Sequence, residues 1–231
     1  IAGMIIEPII SCGGQIELPN TFLKNTYKII KKNKGLLISD EIQTGFGRVG
    51  EKFWGFQLHD VIPDIVTLGK PMGNGHPIGA VICTKEIADK FNNGMEFFSS
   101  FGGNPVSCSI ALSVLKELKK NKLQKNAEII GNYIKSELKK VSKEFPIISN
   151  VRGKGLFLGF ELTSNKLNPL PDQANYLVNR MKEYGILMSS DGIDKNVIKI
   201  KPPLVFNKDN TDTLIYFLRK VLKEDPMNIK L

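Results

Sequence analysis

Asp64-Ile65-Val66-Thr67-Leu68-Gly69-Lys70-Pro71-Met72-Gly73-Asn74-Gly75 is a short apolar run that stops abruptly at a lysine framed by glycine and proline. Upstream, Leu36-Leu37-Ile38-Ser39-Asp40-Glu41-Ile42-Gln43-Thr44-Gly45-Phe46-Gly47-Arg48 repeats the design, ending in an acid instead. Each reads as a buried strand giving way to a polar, glycine-rich turn. In an open α/β sheet, ligands bind at the carboxyl ends of the strands. A lysine held there, with Gly and Pro around it, is expected to be poorly solvated, which suits an amine nucleophile.

Outward from these frames, strand and helix patterns alternate. Residues 1–10 read as a buried strand ending in Glu7-Pro8, and 11–19 as a glycine-rich loop. Residues 20–34 form a helical pattern with Asn20 or Thr21 as its cap and Gly35 as its stop. This strand–helix–strand order predicts a parallel sheet with a right-handed crossover. Further strands are expected at Asp64–Gly69 and Gly79–Thr84, buried on both faces. Long helices are expected from Pro105 and over Leu123 to Phe145. The texture then changes to strands at Leu156–Leu162, Gly185–Ser189 and Val197–Pro203, with helices near 172–184 and 208–223. In the Val197–Pro203 strand, alternation places Ile198 and Ile200 on one face and Lys199 and Lys201 on the other. The domain division is expected near residue 146: 1–145 the carboxyl-terminal part of a larger domain with interdomain helices, and 146–231 a small α/β domain.

Composition narrows the function classes. The 231 residues are 42% hydrophobic and 24% charged, with formal net charge +9. That is a globular balance. No apolar run reaches the ~18 residues of a membrane-spanning helix. The excess lysines (Lys31, Lys32, Lys34; Lys116, Lys119, Lys120, Lys122; Lys139, Lys140, Lys143) interleave with apolar positions, as on the solvated faces of amphipathic helices. No nucleic-acid module is visible, and neither nucleic acid nor membrane is expected as a partner. Cys12, Cys83 and Cys108 form no disulfide ladder or metal pair, which reads as a reduced intracellular compartment. His59 and His76 lack zinc-ligand spacing; His76 is either a loop histidine or an edge of the Lys70 site. The opening Ile1-Ala-Gly-Met-Ile-Ile resembles the middle of a strand, so the carboxyl-terminal part of a longer protein is expected.

The ordered set Asp40-Glu41, Gly45-Phe46-Gly47-Arg48, Pro63-Asp64 and Gly69-Lys70 resembles the class III, fold type I pyridoxal-phosphate enzymes, the ω-aminotransferase family. The resemblance implies the fold type I architecture, pyridoxal 5'-phosphate as cofactor and a homodimer or dimer of dimers. It implies Lys70 as the cofactor-bearing lysine, Asp40 at the pyridinium nitrogen and Gln43 at the ring's phenolic oxygen. Ser100, in Ser99-Ser100-Phe101-Gly102-Gly103-Asn104-Pro105, replaces a family threonine that reaches the partner's cofactor phosphate; its other reading is a helix cap. Glu7 occupies the family's Glu-Pro frame, as a brace or as a buried glutamate without chemistry.

Two departures bear on the reaction. Cys12 stands where many family members carry a second glutamate that masks an arginine, and Lys199 stands where that arginine would clamp a keto acid's carboxylate. Lysine lacks the planar fork that grips a carboxylate. With Ser-Cys-Gly-Gly-Gln (11–15), Met-Gly-Asn-Gly-His-Pro (72–77) and Ile-Lys-Pro-Pro (200–203), the chain is most similar to a subgroup of ethanolamine-phosphate phospho-lyases. A 5-phosphohydroxylysine enzyme is nearly as similar. The reaction implied is loss of phosphate from an amino-alkyl phosphate, with Lys70 as base and Lys199 or Lys201 holding the phosphate, unless those lysines form only a solvated strand face. The alternatives are an aminotransferase acting on pyruvate or glyoxylate, with Arg152 or Arg180 as clamp, and an inactive fragment. Placement is expected to be cytoplasmic or mitochondrial.

Overall fold

The computed structural model describes residues 1–165 and 167–229. Along the chain run β1 (Gly3–Ile6), β2 (Ile9–Ile10), β3 (Ile16–Glu17), α1 (Phe22–Lys32), β4 (Leu36–Asp40), β5 (Ile65–Leu68), β6 (Ala80–Cys83) and α2 (Lys85–Phe91). They continue with α3 (Pro105–Lys120), α4 (Leu123–Glu144), β7 (Ile148–Lys154), β8 (Phe157–Leu162), α5 (Pro171–Glu183), β9 (Ser189–Asp191), β10 (Val197–Ile200) and α6 (Lys208–Leu222). The chain divides into two compact units. One comprises Ile1–Pro8, Leu18–Gly47 and Lys52–Leu123; the other comprises Ile9–Glu17, Arg48–Glu51 and the chain from Gln124.

In the first unit the sheet order is β1-β4-β5-β6. The β1–β4 and β4–β5 pairs are parallel, and α1 makes the expected crossover between β1 and β4. The final pair departs from the expected parallel order. β6 runs antiparallel to β5: residues 69–79 between them hold a short 3-10 turn and no crossover α-helix. α1 buries Leu23 and Ile30 against Leu37 and Val61. Thr21 occupies its N-cap position but makes no side-chain capping bond, and Asn33 rather than Gly35 is the C-cap.

Residues 1–10 do not form one buried strand. Pro8 lacks an N–H for a ladder and separates edge strand β1, where Ile5 is 61% exposed, from β2. β2 pairs antiparallel with β3, inside what sequence reads as a loop. Burial on both faces also fails at β6, where Val81 and Ile82 are exposed.

The second unit is built on the antiparallel sheet β7-β8-β10-β9. β8 is its spine: Phe157, Leu158, Phe160 and Leu162 are fully buried. α4 contributes Ala127, Ile130, Ile134, Leu138 and Val141, spaced three or four apart along one stripe. α5 adds Ala174, Leu177 and Met181, and α6 adds Leu214, Leu218 and Val221, all in one contiguous core. Each of the larger side chains among them contributes about 1.5–3 kcal/mol on burial. Asn207 caps α6 in a reciprocal pair with Asn210. The lysines of α4 and α3 named above lie exposed, as their spacing requires. Strand β7 escapes the sequence pattern because Asn150, Arg152 and Lys154 interrupt its apolar content. The expected strand at 185–189 is found at Ser189–Asp191.

Candidate active site

β4 and β5 are parallel neighbours, with Ile38, Ser39 and Asp40 opposite Ile65, Val66 and Thr67. Asp40 therefore ends β4 level with Thr67, three residues before Lys70. Glu41 N donates to Thr67 O, extending the pairing one step further. The acid and the lysine are thus delivered to the same end of one sheet by adjacent strands.

The loop after β4 is fixed by Glu41. Its side chain is fully buried and accepts hydrogen bonds from Ser39 Oγ at 3.1 Å, Thr44 Oγ1 at 2.8 Å, and the backbone N–H of Gly55 and Phe56, both at 2.8 Å. A buried carboxylate survives only with such compensation. Phe46, Phe53 and Trp54 pack edge-on beside it. Asp40 Oδ1 accepts from Ile42 N at 3.0 Å, while Oδ2 has no partner among the described residues. Gln43 is half-buried on the same loop, and Glu7 is half-buried just past β1.

Lys70 follows the extended Gly69 and opens a 3-10 turn through Met72. Its φ of 33° is left-handed, an uncommon state for a residue with a side chain. Its carbonyl accepts from both Gly73 N and Asn74 N at 3.1 Å. A β-carbon on Gly73 would sit 2.1 Å from the His76 carbonyl oxygen, so only glycine fits. The expectation of a desolvated lysine is not met in this chain: Lys70 is exposed. Gly69 and Pro71 flank it along the chain but raise no side-chain wall over the amine.

Ser100 is exposed and is not the helix cap. Asn104 caps α3, accepting from Ser107 N at 2.9 Å, and Ser99 Oγ accepts from Gly102 N at 3.0 Å. His59 is a buried structural residue whose Nε2 lies 2.9 Å from Pro8 O. No cluster of His, Cys, Asp or Glu among the described residues would hold a metal.

In the second unit, Lys199 Nζ donates to Asp191 Oδ1 at 3.0 Å. Asp191 Oδ2 accepts from Gln15 Nε2, which also donates to Ser11 O, both at 2.9 Å. Lys201 Nζ lies 4.1 Å from the Phe157 ring centroid. Cys12 is exposed. The two arginines considered as alternative carboxylate clamps are committed. Arg152 bonds Glu161 at 2.6 Å and Gly14 O at 2.8 Å. Arg180 is paired with Glu224 and Glu183. Arg48 donates to the carbonyls of Leu156 and Pro202; burial pushes its pKa down to about 10, so it stays charged at neutral pH.

Sequence reasoning assigned no role to Glu41, Asp191 or the pair His76–Ser107. Glu41 carried a signal, a second acid beside an apolar strand end. The partners of the other residues come from distant segments.

A parallel sheet with an acid and a lysine at the carboxyl ends of adjacent strands defines the fold type I class of pyridoxal-phosphate enzymes. The family model for class-III aminotransferases matches residues 1–222, and the chain belongs to that family. It is 45% identical over 226 residues to a Drosophila melanogaster protein named alanine–glyoxylate aminotransferase 2-like, covering 96% of this chain and 46% of that one. It is 42% identical over 228 residues to the Caenorhabditis elegans ethanolamine-phosphate phospho-lyase homolog 1, covering 96% and 49%. Among solved structures, an Arthrobacter phospholyase in complex with phosphoethanolamine superposes with TM-score 0.94 at 39% identity, covering 96% of this chain and 53% of that one. The chain spans about half the length of the curated relatives it matches.

Pyridoxal phosphate is the cofactor of this family, and the residues present fit it. Asp40 Oδ2 is uncommitted and able to accept from a protonated ring nitrogen. Lys70 offers an accessible amine. The Ser100 hydroxyl, among the glycines before α3, suits a phosphate.

Proposed function

We propose that the protein containing this chain eliminates phosphate from an amino-alkyl phosphate, ethanolamine phosphate first, giving an aldehyde, ammonia and inorganic phosphate. The observation that carries the reading is the commitment of the cations that a transaminase would use. Lys199 replaces the carboxylate-clamping arginine and is paired with Asp191. Arg152 and Arg180 are held by internal carboxylates. Among the described residues Arg152 and Arg180 offer no free fork of the kind that grips a keto acid's carboxylate. The likeness to a phospholyase whose structure holds phosphoethanolamine supports the same substrate class.

When bound, pyridoxal phosphate supplies an electron sink for the carbon bearing the substrate nitrogen. Asp40 would hold a proton on the ring nitrogen, and Gln43 would contact the phenolic oxygen. The Lys70 amine would take the proton from the carbon bearing the substrate nitrogen as general base. Loss of that proton together with phosphate from the neighbouring carbon, followed by hydrolysis, would account for aldehyde, ammonia and inorganic phosphate. Ser100 is assigned to the cofactor phosphate of the partner subunit and Glu7 to bracing the site. Lys199 and Lys201 are assigned to the substrate phosphate on charge alone, with Lys199 weakened by its existing ion pair.

A homodimer is part of this reading. Phe91, Met95, Phe97, Phe98, Phe101 and Val106 are 65–84% exposed on and before α3, an apolar surface that a second copy would cover. An intracellular compartment, cytosolic or mitochondrial, accords with three free thiols.

The test uses the full-length protein loaded with cofactor. Ethanolamine phosphate is added without any keto acid and inorganic phosphate is measured. Catalytic release, abolished in Lys70→Ala, supports the reading. Amino transfer to pyruvate or glyoxylate without phosphate release would replace it with the transaminase. Silence in both assays directs the search to phosphohydroxylysine.

A further inference from the structure

We propose that His76 and Ser107 are positioning residues: their hydrogen bond pins the far end of the Lys70 turn to the first turn of α3, so that the lysine is presented ready for the cofactor. The inference rests on the reading of Lys70 as the cofactor lysine and goes beyond it by naming what holds that lysine in place.

His76 Nε2 lies 2.7 Å from Ser107 Oγ. Ser107 is itself oriented twice, its N–H donated to Asn104 Oδ1 at 2.9 Å and its Oγ accepting from Asn104 Nδ2 at 3.0 Å. Asn104 Nδ2 also donates to Phe101 O at 2.7 Å. With Asn104 supplying a proton to Oγ, the arrangement that uses every donor has the Ser107 hydroxyl donating to His76 Nε2. His76 is therefore tied to a rigid helix start, not to a mobile surface group.

Its backbone is tied to Lys70. His76 N donates to Gly73 O, and Gly73 N donates to Lys70 O, both at 3.1 Å. The path from the Ser107 hydroxyl to the lysine backbone is thus one side-chain bond and two short backbone bonds. Lys70 needs this support because its left-handed φ is disfavoured for a side-chain-bearing residue. Without an anchor, the exposed turn of glycines and Asn74 would relax among several conformers. The cofactor would then have to select the competent one, and its apparent affinity would fall by the competent fraction. Ser107 also sits one turn into the helix that follows Ser100. The same bond therefore couples the lysine turn to the loop assigned to the cofactor phosphate.

The experiment measures cofactor affinity, by visible absorbance, in the full-length protein without substrate. A glutamine amide reaches about as far as a histidine Nε2, whereas an asparagine amide falls short. His76→Gln is expected to stay within about twofold of wild type. His76→Asn and Ser107→Ala are each expected to weaken binding about three- to tenfold, the size of one net hydrogen bond. The double variant is expected to be no worse than the weaker single variant, since both remove one bond. Equal behaviour of Gln and Asn, unchanged affinity in Ser107→Ala, or multiplying losses in the double variant would each overturn the inference. Because no substrate is present, this readout does not depend on phosphate release, so failure of the lyase reading would leave this inference standing.

Discussion

Glu41 offers a sharp test of how the site is held, and Glu41→Gln is the perturbation of choice because it changes charge while keeping shape. Each carboxylate oxygen serves one hydroxyl and one backbone N–H. Oε1 accepts from Ser39 Oγ and Phe56 N, and Oε2 from Thr44 Oγ1 and Gly55 N. An amide has one oxygen and one NH₂ group. Whichever way it is turned, the oxygen satisfies one hydroxyl and one backbone N–H. At the other end the hydroxyl can rotate to accept from the NH₂, but the backbone N–H cannot. One buried amide is therefore orphaned, at a cost of about 1–3 kcal/mol.

Amide hydrogen exchange followed by mass spectrometry over the peptide containing Gly55 and Phe56 reads this directly. A loss of that size corresponds to exchange roughly 5- to 150-fold faster at one of the two amides. Glu41→Ala, which strips the acceptor from all the donors, should expose both amides and lower the thermal midpoint further. Unchanged protection in Glu41→Gln would refute the claim that an ionised carboxylate organises this loop.

Three further outcomes follow from the packing. Gly73→Ala places a methyl 2.1 Å from the His76 carbonyl, so the turn must shift; cofactor affinity is expected to fall about tenfold or more while the far-ultraviolet spectrum stays unchanged. Gly131→Ala drives a methyl to 2.1 Å from the Gly155 carbonyl, backbone against backbone, and should destabilise the second unit by about 3 kcal/mol in chemical denaturation. The Glu224 carboxyl is held below the usual glutamate range chiefly by Arg180 and then by the Tyr176 hydroxyl. Its stabilisation is full above pH about 4.3, the unfolded glutamate value, and is lost as pH falls through the depressed folded value. Glu224→Gln should therefore flatten the acid limb of the stability profile, modestly, since the pair is near the surface.

Much of the site was legible because its logic is local. A strand that stops at Asp40, and another that stops before Lys70, are written in consecutive residues. The parallel pairing of β1 with β4 follows from the intervening helix α1. The buried stripes of α4 and α6 follow from three- and four-residue spacing. What was not legible depends on partners far along the chain. β6 reverses direction because no helix carries the chain across the sheet between Leu68 and Ala80. β7 is a strand because β8 offers it a ladder, not because its own residues ask for one. The apparent desolvation of Lys70 was inferred from Gly and Pro beside it, yet burial is set by what crosses above a residue, and sequence neighbours do not report that. The Lys199–Asp191 pair likewise links residues eight apart across the β9–β10 pairing, where no periodicity points.

That pair bears on the proposed lyase reading, and it makes a demanding prediction. If only the missing guanidinium barred keto-acid use, Lys199→Arg would be enough to restore it. Asp191 argues otherwise. It is only 12% exposed; Lys199 Nζ lies 3.0 Å from both of its oxygens, and Gln15 Nε2 donates to Oδ2 as well. An arginine at 199 would meet the same carboxylate, and an arginine–carboxylate pair is stronger than a lysine pair because two parallel bonds form. The fork would be consumed internally. Lys199→Arg alone is therefore expected to leave amino transfer to pyruvate at the wild-type level. Combined with Asp191→Asn, which removes the competing charge and keeps an acceptor for Gln15, it should raise transfer above that level. The assay is alanine formation from pyruvate in the full-length, cofactor-loaded protein. A gain in the single variant equal to that in the double variant would show that Asp191 does not hold the cation at 199, and the case for the lyase built on committed cations would fall with it.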